Sequence, residues 1–350
     1  MKIVCIGDAL IPSSMMRRWV EKFPRYTEAE YFDFGPHNRD EIRMYVKKME
    51  AIGFDCEPLP DKIIEAAKDA DVIQVHLAPI SKVLLERTEK LKLILSNRGG
   101  LENIDLQTAS KRSIAVLCNP AHNANAVAEM TIGLLLAETR NIARNHMSLA
   151  LDGRWYENPP NAGRIHELSS MTVGLAGFGT IGRIVVNLLR AFRTKILVYD
   201  PFVSAAEIEA CGATPVTELS DLLKGSDVVS LHARVSEQTK GMIGAAELNM
   251  MRPGAILINT ARPALIDMDA LYVALNECRI SGAAIDVFPI EPIPPDYPLL
   301  SLKNVTLTCH KGGDTVESYA DSPEMVLKEG ETYFTSGIPQ FWANSIDMKR

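Results

Sequence analysis

Short apolar runs recur along the chain, and stretches with a helical repeat of apolar positions separate them. In the first third, Lys2–Ile6, Ala29–Phe34, Val72–His76, Leu91–Leu95 and Ile114–Leu117 predict strands. Met15–Phe23, Asp40–Ile52, Asp61–Ala70, Ser81–Lys90 and Ile104–Lys111 predict helices between them. A long helix is expected over about Ala124–Asp152, with Val127, Ile132, Leu135 and Leu136 on its apolar side. Such length suits a segment that bridges domains or subunits. Gly153–Ser170, which carries Pro159-Pro160, reads as a loop. Strands follow at Thr172–Ala176, Lys195–Asp200, Val228–His232, Ala255–Asn259, Gly282–Val287 and Val305–Cys309, and the tail from about Gly313 is helical. Strands that alternate with helices in this way predict an α/β chain with doubly wound parallel sheets.

Composition narrows the picture. The chain has 350 residues, enough for about two domains, and is 47% hydrophobic. Its net charge is −7 and no basic stripe is visible, which argues against nucleic acid as a partner. The apolar patch around Ile132–Ala137 is far below membrane-spanning length, and Met1–Asp8 reads as a first strand rather than a signal peptide. The six cysteines are scattered without a C-x-x-C pair, which fits free thiols and a cytoplasmic location. No metal-ligand spacing is present, so no metal is expected.

The strand Thr172–Ala176 runs directly into Gly177-x-Gly179-x-x-Gly182 and then a helix. Gly177 permits a tight turn, Gly179 lets the backbone approach a pyrophosphate, and Gly182 lets helix and strand pack. The new helix points its free N–H groups at the phosphates. The next strand ends in Asp200, which would accept hydrogen bonds from the adenosine ribose hydroxyls and repel a 2′-phosphate. The expected cofactor is therefore NAD.

Ligands of parallel sheets sit beyond the carboxyl ends of strands. Three reactive side chains fall there: Arg262, Glu291 and His310. Together they suit hydride transfer to a 2-keto acid. A guanidinium binds the carboxylate and polarises the carbonyl, a histidine moves the proton, and a carboxylate orients the histidine. Singly, each residue has an ordinary reading as a solvated or structural side chain.

Nearly the whole chain resembles the D-isomer-specific 2-hydroxyacid dehydrogenases, the group that includes glycerate and phosphoglycerate dehydrogenases. The resemblance rests on Arg98–Asp105, Asn123–Glu129, Gly177–Gly182, Leu257–Arg262, Ala284–Pro292 and Leu307–Gly313. It implies that Arg262 binds substrate, His310 is the acid/base and Glu291 is its partner. It implies that Arg98, Gly99 and Gly100 form a loop whose N–H groups grip the substrate carboxylate. Thr180 and Ile181 would face the pyrophosphate, Asp286 would hold the nicotinamide amide, and Ala233, Thr260, Ala261 and Gly312 would line the cofactor site. The implied architecture is a Rossmann dinucleotide domain, residues 119–309, inserted in a discontinuous flavodoxin-like substrate domain, residues 1–118 and 310–350. The implied assembly is a homodimer through the long helix. The implied reaction joins a small 2-keto acid and its 2-hydroxy acid, of glycerate or phosphoglycerate type.

The chain departs from the family's usual pattern at Pro263, Cys309, Lys311 and Arg234. Arg98, His122, Arg234 and Lys311 together suggest surplus positive charge for a second anionic group on the substrate, such as a phosphate. A different reading of the same fold is a catalytically weak NADH-sensing binding protein.

Overall fold

The computed structural model describes residues 1–155, 159, 161–335 and 337–348. It divides into two compact units, Met1–Asn123 with Thr315–Arg350, and Ala124–Asp314. The crossings fall a few residues after 118/119 and 309/310, so His310 lies in the same unit as the glycine-rich turn.

The first unit holds β1 (Lys2–Gly7), β2 (Glu28–Asp33), β3 (Val72–Val75), β4 (Leu93–Ser96) and β5 (Ala115–Leu117), in the order β2-β1-β3-β4-β5. All pairings are parallel. Strand period decides the two cores. Val4, Ile6, Ile73, Val75, Ile94 and Val116 point to one face. Ile3, Cys5, Val72, Leu93, Leu95, Ala115 and Leu117 point to the other, against the C-terminal helix Ser322–Thr335 through Val326 and Leu327. Strands buried on both faces read as unbroken apolar runs. The edge strand β2 is half-exposed, which is why it carries Glu28, Glu30 and Asp33.

The second unit holds β6 (Thr172–Ala176), β7 (Lys195–Tyr199), β8 (Thr214–Pro215), β9 (Val228–Leu231), β10 (Ile256–Asn259), β11 (Gly282–Ile285) and β12 (Val305–Leu307). Their order is β12-β11-β10-β9-β6-β7-β8, again parallel. Helices Ala124–Thr139 and Thr180–Ala191 cover one face through Ala128, Ile132, Leu135, Val185, Val186 and Leu189. Leu248, Leu271 and Leu275 cover the other. The order reverses between β6 and β9, so loops leave their carboxyl ends in opposite directions and open a crevice.

One expectation is corrected. The long helix is two helices, Ala124–Thr139 and Ile142–Ala150. Between them Asn141 turns left-handed at φ 57°, a conformation asparagine tolerates better than most residues. Its side chain is buried and donates from Nδ2 to Asn161 Oδ1 at 2.6 Å. Asn161 in turn donates to the Thr139 carbonyl at 3.3 Å, capturing an acceptor the helix end leaves open. Of the expected loop 153–170, residues 156–158 and 160 lie outside the described residues, and Leu168–Ser170 forms one 3₁₀ turn. Among the described residues the six cysteines form no disulfide with one another. Among the described residues no helix is long and apolar enough to cross a membrane.

Candidate active site

Gly177 sits at the end of β6 with φ 106°, where an L side chain would be strained. A Cβ there would lie 2.6 Å from Ala233 N and 2.6 Å from the His232 carbonyl carbon, at the end of β9. Gly182 lies against the Gly177 carbonyl, 2.5 Å from where its Cβ would be. Gly179 instead faces open space. The helix Thr180–Ala191 starts there with no side chain capping its first turn, so its N–H groups stay available to an anion. Thr180 is exposed and Ile181 half-buried at that helix start. Asp200, after β7, is fixed at both oxygens. Oδ2 accepts from Phe178 N at 2.7 Å and Oδ1 from Phe202 N at 2.9 Å.

Strand order places the reactive side chains on neighbours. Arg262 follows β10, Asp286 and Glu291 follow β11, and His310 follows β12, three strands that lie side by side. His310 Nδ1 donates to Glu291 Oε2 at 2.8 Å. The other Glu291 oxygen accepts from Phe288 N at 2.9 Å, so the carboxylate is aimed before it meets the ring. The imidazole is half-exposed, and its Nε2 has no hydrogen-bond partner among the described residues.

The His310 backbone is strained, at φ 51°. Asp286, only 1% exposed, holds it there. Its Oδ1 accepts from Thr308 Oγ1 at 2.6 Å and from Lys311 N at 2.9 Å, and its Oδ2 from Gly312 N at 2.8 Å. These bonds clamp the loop on both sides of the histidine. They occupy three of the roughly four acceptor positions of a carboxylate, which leaves one for a ligand amide.

Arg262 is exposed, and its Nη1 donates to the Ala261 carbonyl at 2.7 Å. The turn that carries it is set by buried Asn259, whose Oδ1 accepts from Ala261 N at 3.0 Å and whose Nδ2 donates to the Arg262 carbonyl at 2.9 Å. Thr260 is buried, with Oγ1 2.8 Å from Thr131 Oγ1. Sequence reasoning did not single out Asn259, Thr308 or Thr131. For Asn259 the available signal was a polar residue ending an otherwise apolar strand, Leu257-Ile-Asn259.

In the first unit, Arg98, Gly99 and Gly100 follow β4. The Arg98 guanidinium lies 3.5 Å from Glu50 and 3.4 Å from Glu102. His122 Nδ1 donates to the Asn119 carbonyl at 2.8 Å, and burial pushes its pKa down, helped by the charges of His76 and Arg98. In the second unit Lys311 pairs with Asp314. The expected surplus of positive charge is therefore corrected. Arg98 and Lys311 are balanced by carboxylates, His122 is kept neutral by burial, and only Arg234 is exposed and without an ion-pair partner among the described residues.

Residues 132–312, with the glycine turn, Arg262, Glu291 and His310 among them, match the NAD binding domain of the D-isomer specific 2-hydroxyacid dehydrogenases. The chain is 34% identical over 297 residues to glyoxylate reductase of Korarchaeum cryptofilum, a match covering 84% of this chain and 89% of that enzyme. The chain belongs to the D-isomer specific 2-hydroxyacid dehydrogenase family. This dehydrogenase is also 37% identical over 270 residues to D-3-phosphoglycerate dehydrogenase of Methanocaldococcus jannaschii, which covers 77% of this chain but only 51% of that relative. It thus spans about half the length of that enzyme. Its fold matches the solved D-lactate dehydrogenase with NAD+ from Lactobacillus jensenii, with a TM-score of 0.75, 25% identity and coverage of 98% and 99% of the two chains. It is an NAD-dependent oxidoreductase of two parallel-sheet α/β units. The open space at Gly179, the uncapped helix start and the fixed carboxylate of Asp200 suit that dinucleotide.

Proposed function

We propose that this dehydrogenase interconverts a small 2-keto acid and its D-2-hydroxy acid, with His310 as the acid/base. The observation that carries the reading is the 2.8 Å His310–Glu291 hydrogen bond, which commits Nδ1 and leaves Nε2 free in a half-exposed ring. NADH supplies the hydride when bound. As negative charge grows on the substrate carbonyl oxygen, His310 Nε2–H donates its proton there. Glu291 stabilises the imidazolium beforehand and keeps its tautomer. Arg262 binds the substrate and draws charge from the same oxygen. In the first unit, the Arg98–Gly99–Gly100 loop binds the substrate carboxylate through its N–H groups.

For the cofactor, Gly177, Gly179, Thr180, Ile181 and Gly182 hold the pyrophosphate and Asp200 the ribose hydroxyls. Ala233, Thr260, Ala261 and Gly312 line the remainder, and Asp286 offers its last acceptor position to the nicotinamide amide. The domain roles follow: Ala124–Asp314 for the dinucleotide, Met1–Asn123 with Thr315–Arg350 for substrate. The protein works as a homodimer. Ile142, Met147, Leu151 and Trp155 are 56–79% exposed along and just after one helix, an apolar row that a second copy would cover. Light scattering at about twice the monomer mass of 38.6 kDa checks this.

The test is NADH oxidation with a panel of 2-keto acids, run with NADPH in parallel. Turnover is expected with NADH and is expected to be weak with NADPH. Asp200→Ala should narrow the preference by about ten- to a hundredfold, because it removes both the ribose acceptor and the repulsion of a 2′-phosphate. NADH binding without turnover of any acid would replace the enzyme reading with a sensing role.

A further inference from the structure

Arg234 is exposed, and its guanidinium has no hydrogen-bond or ion-pair partner among the described residues. It lies in the second unit, three residues past the end of β9. In that sheet β9 flanks β6 on one side and β7 flanks it on the other. The register brings the ends of β9 and β6 level, since Leu231 pairs with Ala176. The His232–Ala233 peptide is therefore what a side chain on Gly177 would strike. Arg234 is the next residue along from that contact.

Its main chain is held although its side chain is not. The Arg234 carbonyl accepts from Thr239 Oγ1 at 2.6 Å, and Thr239 Oγ1 accepts from Ser236 N at 2.8 Å, so the loop folds back on itself just beyond the arginine. The nearest cation on the turn's own helix is engaged elsewhere. Arg183 lies 3.3 Å from Glu207 and 4.6 Å above the centre of the Phe178 ring. Over β7, Asp200 brings a carboxylate to the same turn, fixed by Phe178 N and Phe202 N. The helix start adds N–H groups and a partial positive charge. A pyrophosphate seated at that start thus has a carboxylate on its β7 side and Arg234 on its β9 side.

We propose that Arg234 binds the pyrophosphate of NAD and has no part in holding substrate. This rests on the reading that the turn at Gly177 holds the dinucleotide. A guanidinium facing a phosphate makes charge-assisted hydrogen bonds, and its planar fork can give two at once. Its charge also offsets the repulsion between the Asp200 carboxylate and the phosphates. The site can then keep Asp200, which disfavours a 2′-phosphate, without losing affinity for the phosphates that NAD does carry.

The test is a set of NADH fluorescence titrations at low and high salt, with ADP-ribose as a competitor. In Arg234→Ala the NADH dissociation constant should rise about tenfold at low salt, the order expected for a hydrogen bond to a charged group. The gap from wild type should shrink at high salt, because exposed charges are screened. ADP-ribose keeps the pyrophosphate and lacks the nicotinamide, so it should show the same loss. Arg234→Gln should match Arg234→Ala, while Arg234→Lys keeps the charge and should stay within about threefold of wild type. KM for the keto acid at saturating NADH should not move. Unchanged affinity for NADH and ADP-ribose overturns the proposal. So does a loss equal at low and high salt, which marks an uncharged contact. A loss confined to KM for a phosphorylated keto acid overturns it too and gives Arg234 to the substrate. Each of these results leaves the dinucleotide reading intact. A wild type that binds neither NADH nor ADP-ribose overturns both.

Discussion

His310→Ala is expected to lower kcat by roughly 10³-fold, within the range for losing a positioned general acid, while the NADH dissociation constant changes by less than about twofold. Among the described residues the half-exposed ring hydrogen-bonds only to Glu291, so its removal takes away a proton donor and little of the fold. Loss of a group used mainly in the transition state lowers kcat and kcat/KM together. Stopped-flow NADH oxidation and a fluorescence titration of NADH separate the two effects. Turnover near the wild-type rate would mean that the proton comes from elsewhere.

The second large effect is expected from Gly177→Val. The backbone there is at φ 106°, and a Cβ would stand 2.6 Å from main-chain atoms of residues 232 and 233, which cannot rotate away. A valine must therefore widen the crevice between β6 and β9 as well as accept a strained backbone, about 1–3 kcal/mol for the strain alone. NADH affinity should fall at least about a hundredfold, equivalent to roughly 2.7 kcal/mol. Added NADH should no longer raise the melting temperature. Wild-type affinity in a folded variant would place the dinucleotide away from this turn.

Much of the fold was legible because the central strands are buried on both faces. Thr172–Ala176 was read with both ends correct, and Val72 and Val228 were the true starts of their strands. Strand β8 was missed because Thr214–Pro215 is too short to show a pattern. The break at Asn141 was missed because no glycine or proline marks it. It depends on Asn161, a partner in a loop far along the chain. The same limit applied to charge. Sequence shows that Arg98 is a cation, yet not that Glu50 reaches it from a distant helix. The Lys311–Asp314 pair was within reach, since it spans three positions. The histidine and its carboxylate could be named from their motifs, but the role of Asp286 in shaping the histidine's loop needed the coordinates.

That role has a consequence for how the loop can change. Asp286 hydrogen-bonds the main chain at residues 311 and 312 and the hydroxyl of Thr308, and among the described residues it makes no hydrogen bond to a side chain at 309 or 311. The backbone bend that carries the imidazole is thus held by a residue just after the adjoining strand, while Glu291 aims the ring itself. Cys309 and Lys311, two positions where the chain departs from the family's usual pattern, keep their side chains out of those hydrogen bonds, so a substitution at either leaves the clamp in place.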